Sequence, residues 1–132
     1  MNVVAVDPGR EKCGIAVVAD GEALKQQVVE RRCYLQVLER IFENYRIEKI
    51  VIGDGTGSAE FVTEIGSAFP AYSISVVDEY RSTEEARLRY WQEHRPRGWR
   101  RVLPTSMQVP PEPYDDYVAL ILAERFQKTN KL

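Results

Sequence analysis

The sequence predicts an α/β fold with a mixed five-stranded sheet flanked by helices. Two observations predict it: a meander of short-connected strands at the start, and alternating helices and strands after it. Short connections join antiparallel strands, whereas strands that alternate with helices pair in parallel through right-handed crossovers. With the first strand in the centre, the predicted strand order is 3-2-1-4-5.

The first three predicted strands form an antiparallel meander. Residues 2–7 form a short apolar run that a Pro-Gly pair ends, which indicates a buried strand followed by a turn. Residues 13–19 predict the second strand, and the Asp-Gly pair at 20–21 is a strong hairpin signal. The third strand, about 22–31, is more polar, so we expect it at an edge of the sheet.

The remaining predicted elements alternate between helix and strand. In chain order, they are a helix at 33–45, a strand at 49–53, a helix at 58–69, a strand at 73–78, a helix from Ser82, and a helix at about 114–128. We expect the second of these helices to turn four apolar side chains inward: Phe61, Val62, Ile65 and Ala68. Residues 96–113 form a long non-helical stretch, which usually indicates a functional loop.

Length and composition indicate a single domain over residues 1–132, with 44% apolar and 29% charged residues. No apolar run approaches the roughly 20 residues that a membrane helix needs. The start lacks a basic segment typical of a signal peptide, so we expect a cytoplasmic protein. The single histidine excludes a site with several histidine ligands. A net charge of −2 gives no indication of nucleic-acid binding. An acidic cluster would, however, mask a local basic surface in the net charge.

Acidic residues recur at the ends of predicted strands. Asp7 ends the first strand, Asp54 follows the fourth, and Glu79 follows the fifth, while Asp115 and Asp116 open the last helix. An unpaired buried carboxylate costs several kcal/mol, so a cluster of them needs a partner. Carboxylates directed at one end of a sheet indicate a divalent cation, Mg²⁺ or Mn²⁺, because these ions prefer oxygen ligands.

Each acid also has a purely structural interpretation. An aspartate before Pro-Gly commonly caps a turn, as Asp7 could. Asp54 could cap the helix that starts near Ser58, and Asp115 and Asp116 could complement the dipole of the last helix. Glu79 could be a solvated loop residue.

A basic and aromatic segment is the predicted contact surface for nucleic acid. It contains Arg95, Arg97, Trp99, Arg100 and Arg101. Arginines neutralise phosphates, and an exposed indole can stack on an unpaired base. Trp91 lies within a helical pattern, so we expect it in the core and Trp99 as the contact. Further candidates for phosphate contact are Arg10, in the turn beside Asp7, and Arg81.

Parts of the sequence resemble the YqgF/RuvX and RuvC families of the RNase H-like superfamily. The openings of both families are similar to residues 4–10 and 14–18, VAVDPGR and GIAVV. The YqgF segment in which Asp-Glu-Arg precedes a helix is similar to residues 77–86, VDEYRSTEEA. The final acidic turn and helix of YqgF are similar to residues 115–122, DDYVALIL.

A fourth segment is closer to another branch. Residues 52–58, IGDGTGS, resemble the turn in the YqgF domain of the transcription factor Tex, which carries Asn where this chain has Asp54. Tyr80 interrupts the Asp-Glu-Arg pattern of YqgF and moves the arginine to Arg81. Asp54 lies at about the place of a catalytic glutamate in RuvC, so the resemblance implies either Asp54 or Glu79 as the second metal ligand.

The resemblance implies an RNase H-like fold and a metal-dependent nuclease of structured nucleic acid, either pre-ribosomal RNA or Holliday junctions. Two Mg²⁺ or Mn²⁺ ions, bridged by Asp7 on the central strand, would activate water and relieve phosphate charge. The alternative is a non-catalytic nucleic-acid-binding module, as the Tex likeness suggests. A sugar-kinase or actin-like ATPase would need two such domains. A two-fold homodimer would suit a junction resolvase.

Overall fold

The computed structural model describes residues 1–55, 57–78, 82–94 and 115–129. Within these ranges the strands are β1 (Asn2–Asp7), β2 (Lys12–Ala19), β3 (Glu22–Glu30), β4 (Lys49–Gly53) and β5 (Ile74–Val77). The α-helices are α1 (Tyr34–Asn44), α2 (Ser58–Ala68), α3 (Ser82–Glu93) and α4 (Asp115–Thr129), and a 3-10 turn, Arg31–Cys33, precedes α1.

The strands form one five-stranded sheet in the order β3-β2-β1-β4-β5. β1 pairs antiparallel with β2, and β2 pairs antiparallel with β3. β4 is parallel to both β1 and β5. The predicted mixed sheet and its strand order are therefore confirmed.

The hairpin between β2 and β3 forms as predicted. Asp20 and Gly21 both have positive φ, at 50° and 84°, which is the geometry that a two-residue hairpin turn demands. β3 is exposed or half-exposed along its whole length, which agrees with its predicted place at the edge.

Two cores cover the two faces of the sheet, because successive side chains of a strand point to opposite sides. On one face, Val3 and Ala5 of β1 pack with α3 and α4. On the other, Val4 and Val6 pack with α1 and α2. All four of these residues are 0% exposed, so β1 is fully enclosed between the two cores.

Helix α4 is the most deeply buried helix of the described residues. Its side chains from Tyr117 to Ala123 are all buried, around the full circumference, because the helix lies between the sheet and α3. Of the helices described, none combines the length and the apolar character that crossing a bilayer requires.

Several predicted details differ from the structure. Ala68 is exposed rather than on the inner face of α2, although Phe61 and Ile65 are buried there as predicted. Residues 31–33 form the 3-10 turn instead of the end of β3 and the start of α1. β5 spans four residues rather than six. Trp91 is buried in the core as predicted, and 96–113 lie outside the described residues.

Candidate active site

Asp7 stands at the end of the central strand. In the antiparallel register it lies opposite Gly14 of β2. It follows Val3 and Ala5 at two-residue intervals, so strand alternation directs its side chain to the face covered by α4. The side chain is half-buried.

Gly14 lets the start of α4 lie directly on the sheet. A β-carbon at this position would lie 1.9 Å from the carbonyl oxygen of Asp115 and 2.7 Å from the backbone nitrogen of Asp116. No side chain fits in that space, and the backbone of Asp115 therefore lies over the residue that pairs with Asp7. A glycine inside a strand often marks such a close approach.

The thiol of Cys13 responds to both carboxylates. Burial raises the pKa of Cys13 to about 12, the guanidinium of Arg31 opposes this, and the negative charges of Asp7 and Asp115 raise it further. The structure thus brings the end of β1, which carries Asp7, and the start of α4, which carries Asp115, together at this end of the sheet.

Asp115 and Asp116 have different surroundings. Burial raises the pKa of Asp115, and the ammonium group of Lys12 opposes the shift. Burial also raises the pKa of Asp116, which accepts a 3.4 Å hydrogen bond at Oδ2 from the amide of Gln26. Since Gln26 belongs to β3, Asp116 contacts a strand that β2 separates from Asp7.

One oxygen of Asp116 is enclosed. Its Oδ1 atom is buried and has no hydrogen-bond partner among the described residues. Backbone N–H groups at the start of α4 still favour the charged form of this carboxylate. Helix N-termini stabilise negative charge in this way, so the start of α4 favours the carboxylates of Asp115 and Asp116 independently of any ligand.

Asp54 follows β4, the parallel neighbour of β1. Val6 pairs with Ile52, so Gly53 is the residue beside Asp7, and Asp54 is one position further out. The backbone N–H of Asp54 donates to the carbonyl of Val77 at 3.0 Å, which continues the ladder between β4 and β5. The Asp54 side chain is exposed.

The turn after Asp54 leads directly into α2. Gly57 occupies the N-cap position with a φ of 86°, a conformation that favours glycine. The N-cap is therefore Gly57 and not Asp54. Asp54 lies at the same end of the sheet as Asp7, in the turn that follows the neighbouring strand β4.

The acids of the described residues do not complete a metal site by themselves. In this part of the chain, no three side chains from His, Cys, Asp and Glu converge closely enough to hold an ion. Asp7 and Asp115 supply the oxygen donors that Mg²⁺ or Mn²⁺ prefers. Asp54 therefore does not complete a group of three with Asp7 and Asp115, and the alternative ligand, Glu79, lies outside the described residues.

The turn between β1 and β2 carries two basic residues. Arg10 is exposed in this turn, and Lys12 begins β2 beside Asp115. A β-carbon on Gly9 would lie 2.0 Å from the carbonyl oxygen of Lys12, so the turn is closed too tightly for any other residue. The remaining predicted contacts lie outside the described residues: Arg81, Arg95, Arg97, Trp99, Arg100 and Arg101.

Sequence reasoning missed three residues of this region. The isolated glycine in β2, Gly14, was a visible signal of a close backbone approach. Lys12 could have been noted as a cation next to the turn. Gln26 gave no signal, because its contact with Asp116 joins residues 90 positions apart.

This strand order, with helices on both faces of the sheet, is that of the RNase H-like fold. Two solved structures of Thermus thermophilus RuvC share it. One, in complex with a Holliday junction substrate, has a TM-score of 0.58 and 17% identity and covers 98% of this chain and 96% of its own. The other has a TM-score of 0.59 and 18% identity, with 93% and 91% covered.

The likeness to RuvC is one of structure. No protein-family model matches the chain, and no curated protein matches it either. TM-scores of 0.58 and 0.59 over nearly the full length of both chains establish the shared fold, and identities of 17% and 18% establish nothing more. Function must then be argued from the site.

Proposed function

We propose that the protein is a metal-dependent endonuclease that hydrolyses phosphodiester bonds of structured nucleic acid. One observation carries the proposal: Asp7, at the end of the central strand, lies opposite the glycine on which Asp115 is packed. This juxtaposition occurs in a fold that matches RuvC, in complex with a Holliday junction, over almost its whole length.

The chemistry follows from what the carboxylates can hold. A pair of divalent ions, when bound, supplies an activated water and relieves charge on the phosphate. Asp7 suits the role of shared ligand because its strand is enclosed on both faces, which fixes its carboxylate. Asp115 suits the second position, and Asp54 or Glu79 the third. Asp116, which contacts Gln26, would act on the orientation of Asp115.

Substrate would lie across the same edge of the sheet. Arg10 and Lys12 place positive charge beside the acids, where a phosphate would otherwise be repelled. The segment that contains Arg97, Trp99, Arg100 and Arg101 connects α3 to α4, and α4 starts at this site. We assign Arg81 and this segment to nucleic-acid contact.

The decisive experiment is a cleavage assay with Mg²⁺ or Mn²⁺ on three substrates: a four-way DNA junction, a ribosomal-RNA precursor and single strands. The RuvC likeness favours the junction, and the YqgF likeness of residues 77–86 favours the RNA precursor. The proposal is supported if the junction or the RNA precursor is cleaved and cleavage stops when the metal is chelated. Absence of cleavage of all three substrates at saturating metal would contradict it.

A second candidate function is a nucleic-acid-binding module without catalysis. The observation that favours it is the likeness of residues 52–58 to the turn in the YqgF domain of Tex. Such a module would bind the junction or RNA with unchanged affinity after chelation of divalent ions and would cut neither. Binding and cleavage measured on the same substrates separate the two functions.

A homodimer belongs to the same proposal. A junction has two-fold symmetry, and two copies of one site would cut it at symmetric positions. Light scattering of the free protein and of its complex with a junction gives the number of copies. Two copies on one junction are expected, and a single copy would contradict the dimer.

A further inference from the structure

Arg31 lies beneath the candidate site, on the opposite face of the sheet. It belongs to the 3-10 turn between β3 and α1, and its side chain is 23% exposed. Two guanidinium nitrogens donate to the two carboxylate oxygens of Glu64 on α2, at 2.8 and 2.7 Å. This bidentate geometry fixes direction as well as distance, which a lysine cannot do.

Further contacts hold the Arg31 guanidinium in place. It lies 4.2 Å from the ring centre of Phe61 and 4.9 Å from that of Tyr34. The hydroxyl of Tyr34 donates to the same Glu64 carboxylate at 2.6 Å. Glu60, one turn nearer the start of α2, lies 3.9 Å away. The arginine is thus fixed against the N-terminal half of α2.

The backbone of Arg31 contacts a different part of the chain. Its N–H donates to the carbonyl of Glu11 at 2.7 Å, within the turn that follows Asp7. Arg31 therefore bonds through its backbone to the turn after β1 and through its side chain to the helix after β4. These two turns carry Arg10 and Asp54, and both leave the same edge of the sheet.

We propose that Arg31 is a positioning residue for the nuclease site, which fixes the turn that carries Arg10 relative to the turn that carries Asp54. The inference rests on the proposed function. In this role Arg31 contacts neither the substrate nor the predicted metal ligands. It acts through its backbone hydrogen bond to Glu11 and its ion pair with Glu64. Misplacement of a reacting group by about 1 Å can cost about 100-fold in rate, so a residue that fixes two site-bearing turns affects cleavage.

The first test compares Arg31→Lys with Arg32→Lys. Lysine keeps the charge at position 31 but loses the bidentate geometry. Arg32 is a matched control, because it is adjacent, 81% exposed, and pairs only locally with Glu30. At equal folded fraction, we expect Arg31→Lys to lower the single-turnover cleavage rate about 10- to 100-fold with junction affinity unchanged. Arg32→Lys should change neither quantity.

A second readout does not depend on activity. Hydrogen–deuterium exchange should become faster in peptides that cover 8–12 and 53–61 together in Arg31→Lys, and in neither for Arg32→Lys. Glu64→Gln, which keeps the size of the side chain but removes its charge, should give the same pattern. This variant also provides the test if Arg31→Lys does not fold.

The outcomes separate this inference from the proposed function. If the wild type cuts no substrate, the nuclease proposal fails, and the exchange experiment still decides whether Arg31 fixes the two turns. Exchange that changes in one turn only, or in neither, overturns the positioning role. So does an Arg31→Lys variant that is less stable but cuts at the wild-type rate per folded molecule.

Discussion

We expect Asp7 to be required for cleavage but not for folding. Its carboxylate is half-buried, and burying a charge without a partner costs free energy. Asp7→Asn keeps the shape of the side chain and removes the charge. We expect the variant to fold with wild-type or slightly higher stability and to lose metal-supported cleavage.

Thermal unfolding and cleavage assays with Mg²⁺ and Mn²⁺ check this prediction. Asp78→Asn is the control, since Asp78 also follows a strand at the same edge but is exposed and is not among the candidate ligands. Asp78→Asn should cut normally. Wild-type rates in Asp7→Asn would rule out Asp7 as a metal ligand.

Glu64 makes stability depend on pH. The guanidinium of Arg31 and then the hydroxyl of Tyr34 lower the pKa of Glu64 to about 2, against 4.5 for the free group. A depressed carboxylate pKa stabilises the fold above the unfolded pKa, and the contribution disappears as pH falls through the folded pKa. Glu64 therefore stabilises the protein fully above about pH 5 and progressively less towards pH 2.

Denaturant unfolding of Glu64→Gln at pH 7, 4 and 2.5 measures this contribution. The difference from wild type should be largest at pH 7 and smallest at pH 2.5. Glu43→Gln, an exposed change on α1, should give no such trend. A difference between wild type and Glu64→Gln that is the same at all three pH values would contradict the assignment.

At the scale of elements, the contact between α4 and β2 decides whether the site is assembled. Gly14→Ala would place a β-carbon 1.9 Å from the carbonyl of Asp115, so the start of α4 must move away from the sheet. Such overpacking typically costs about 1–3 kcal/mol. We expect this loss in free energy of unfolding, together with reduced cleavage per folded molecule, because Asp115 moves away from Asp7.

Gly66→Ala is the matched glycine control. Gly66 lies in α2, where an added β-carbon would meet only Ile74 Cδ1 at 3.9 Å, an ordinary contact. Alanine in a helix interior is favoured over glycine by about 0.5–1 kcal/mol. Gly66→Ala should therefore be slightly more stable and fully active. If Gly14→Ala were as stable and active as wild type, α4 would not depend on this approach.

Elements of this fold were predictable where a local signal was strong. The Pro-Gly pair ended β1, the Asp-Gly pair made the hairpin, and the apolar run of β4 stood between two helical patterns. The prediction was wrong for Ala68 because α2 ends there beside an open groove, which its own periodicity does not reveal. The 3-10 turn at 31–33 depends on the bond from Arg31 to Glu11, which is a tertiary contact.

The candidate site was predictable in part for the same reason. Asp7 and Asp54 could be placed at one edge because strand ends can be read from local sequence. The approach of Asp115 to Gly14 could not be predicted, because the two residues are 101 positions apart and meet only through the packing of α4 on the sheet. The Glu64–Arg31–Glu11 connection likewise joins three elements that carry no shared pattern.

At the scale of the whole molecule, the small net charge conceals two groups of arginines in different parts of the chain. The chain carries a net charge of −2, yet the segment 95–101 contains four arginines. Elsewhere in the chain, Arg32 and Arg40 are exposed in the 3-10 turn and on α1, and Arg46 is exposed just after α1. Three arginines taken from each group carry the same charge, which allows a local contact to be separated from the overall field of the protein.

The last prediction compares two variants that lose the same number of positive charges. Arg97, Arg100 and Arg101 are changed together to alanine, and the control changes Arg32, Arg40 and Arg46 in the same way. Both variants lose three positive charges, so any effect of net charge on binding is equal. If the first three arginines contact phosphates, each lost contact should reduce the slope of log affinity against log salt by about one unit. Filter-binding or anisotropy titrations of a four-way junction at several salt concentrations measure both slopes.

A slope reduced equally in the two variants would show a general charge effect. A slope unchanged in the variant of Arg97, Arg100 and Arg101 would exclude 97–101 as the substrate surface.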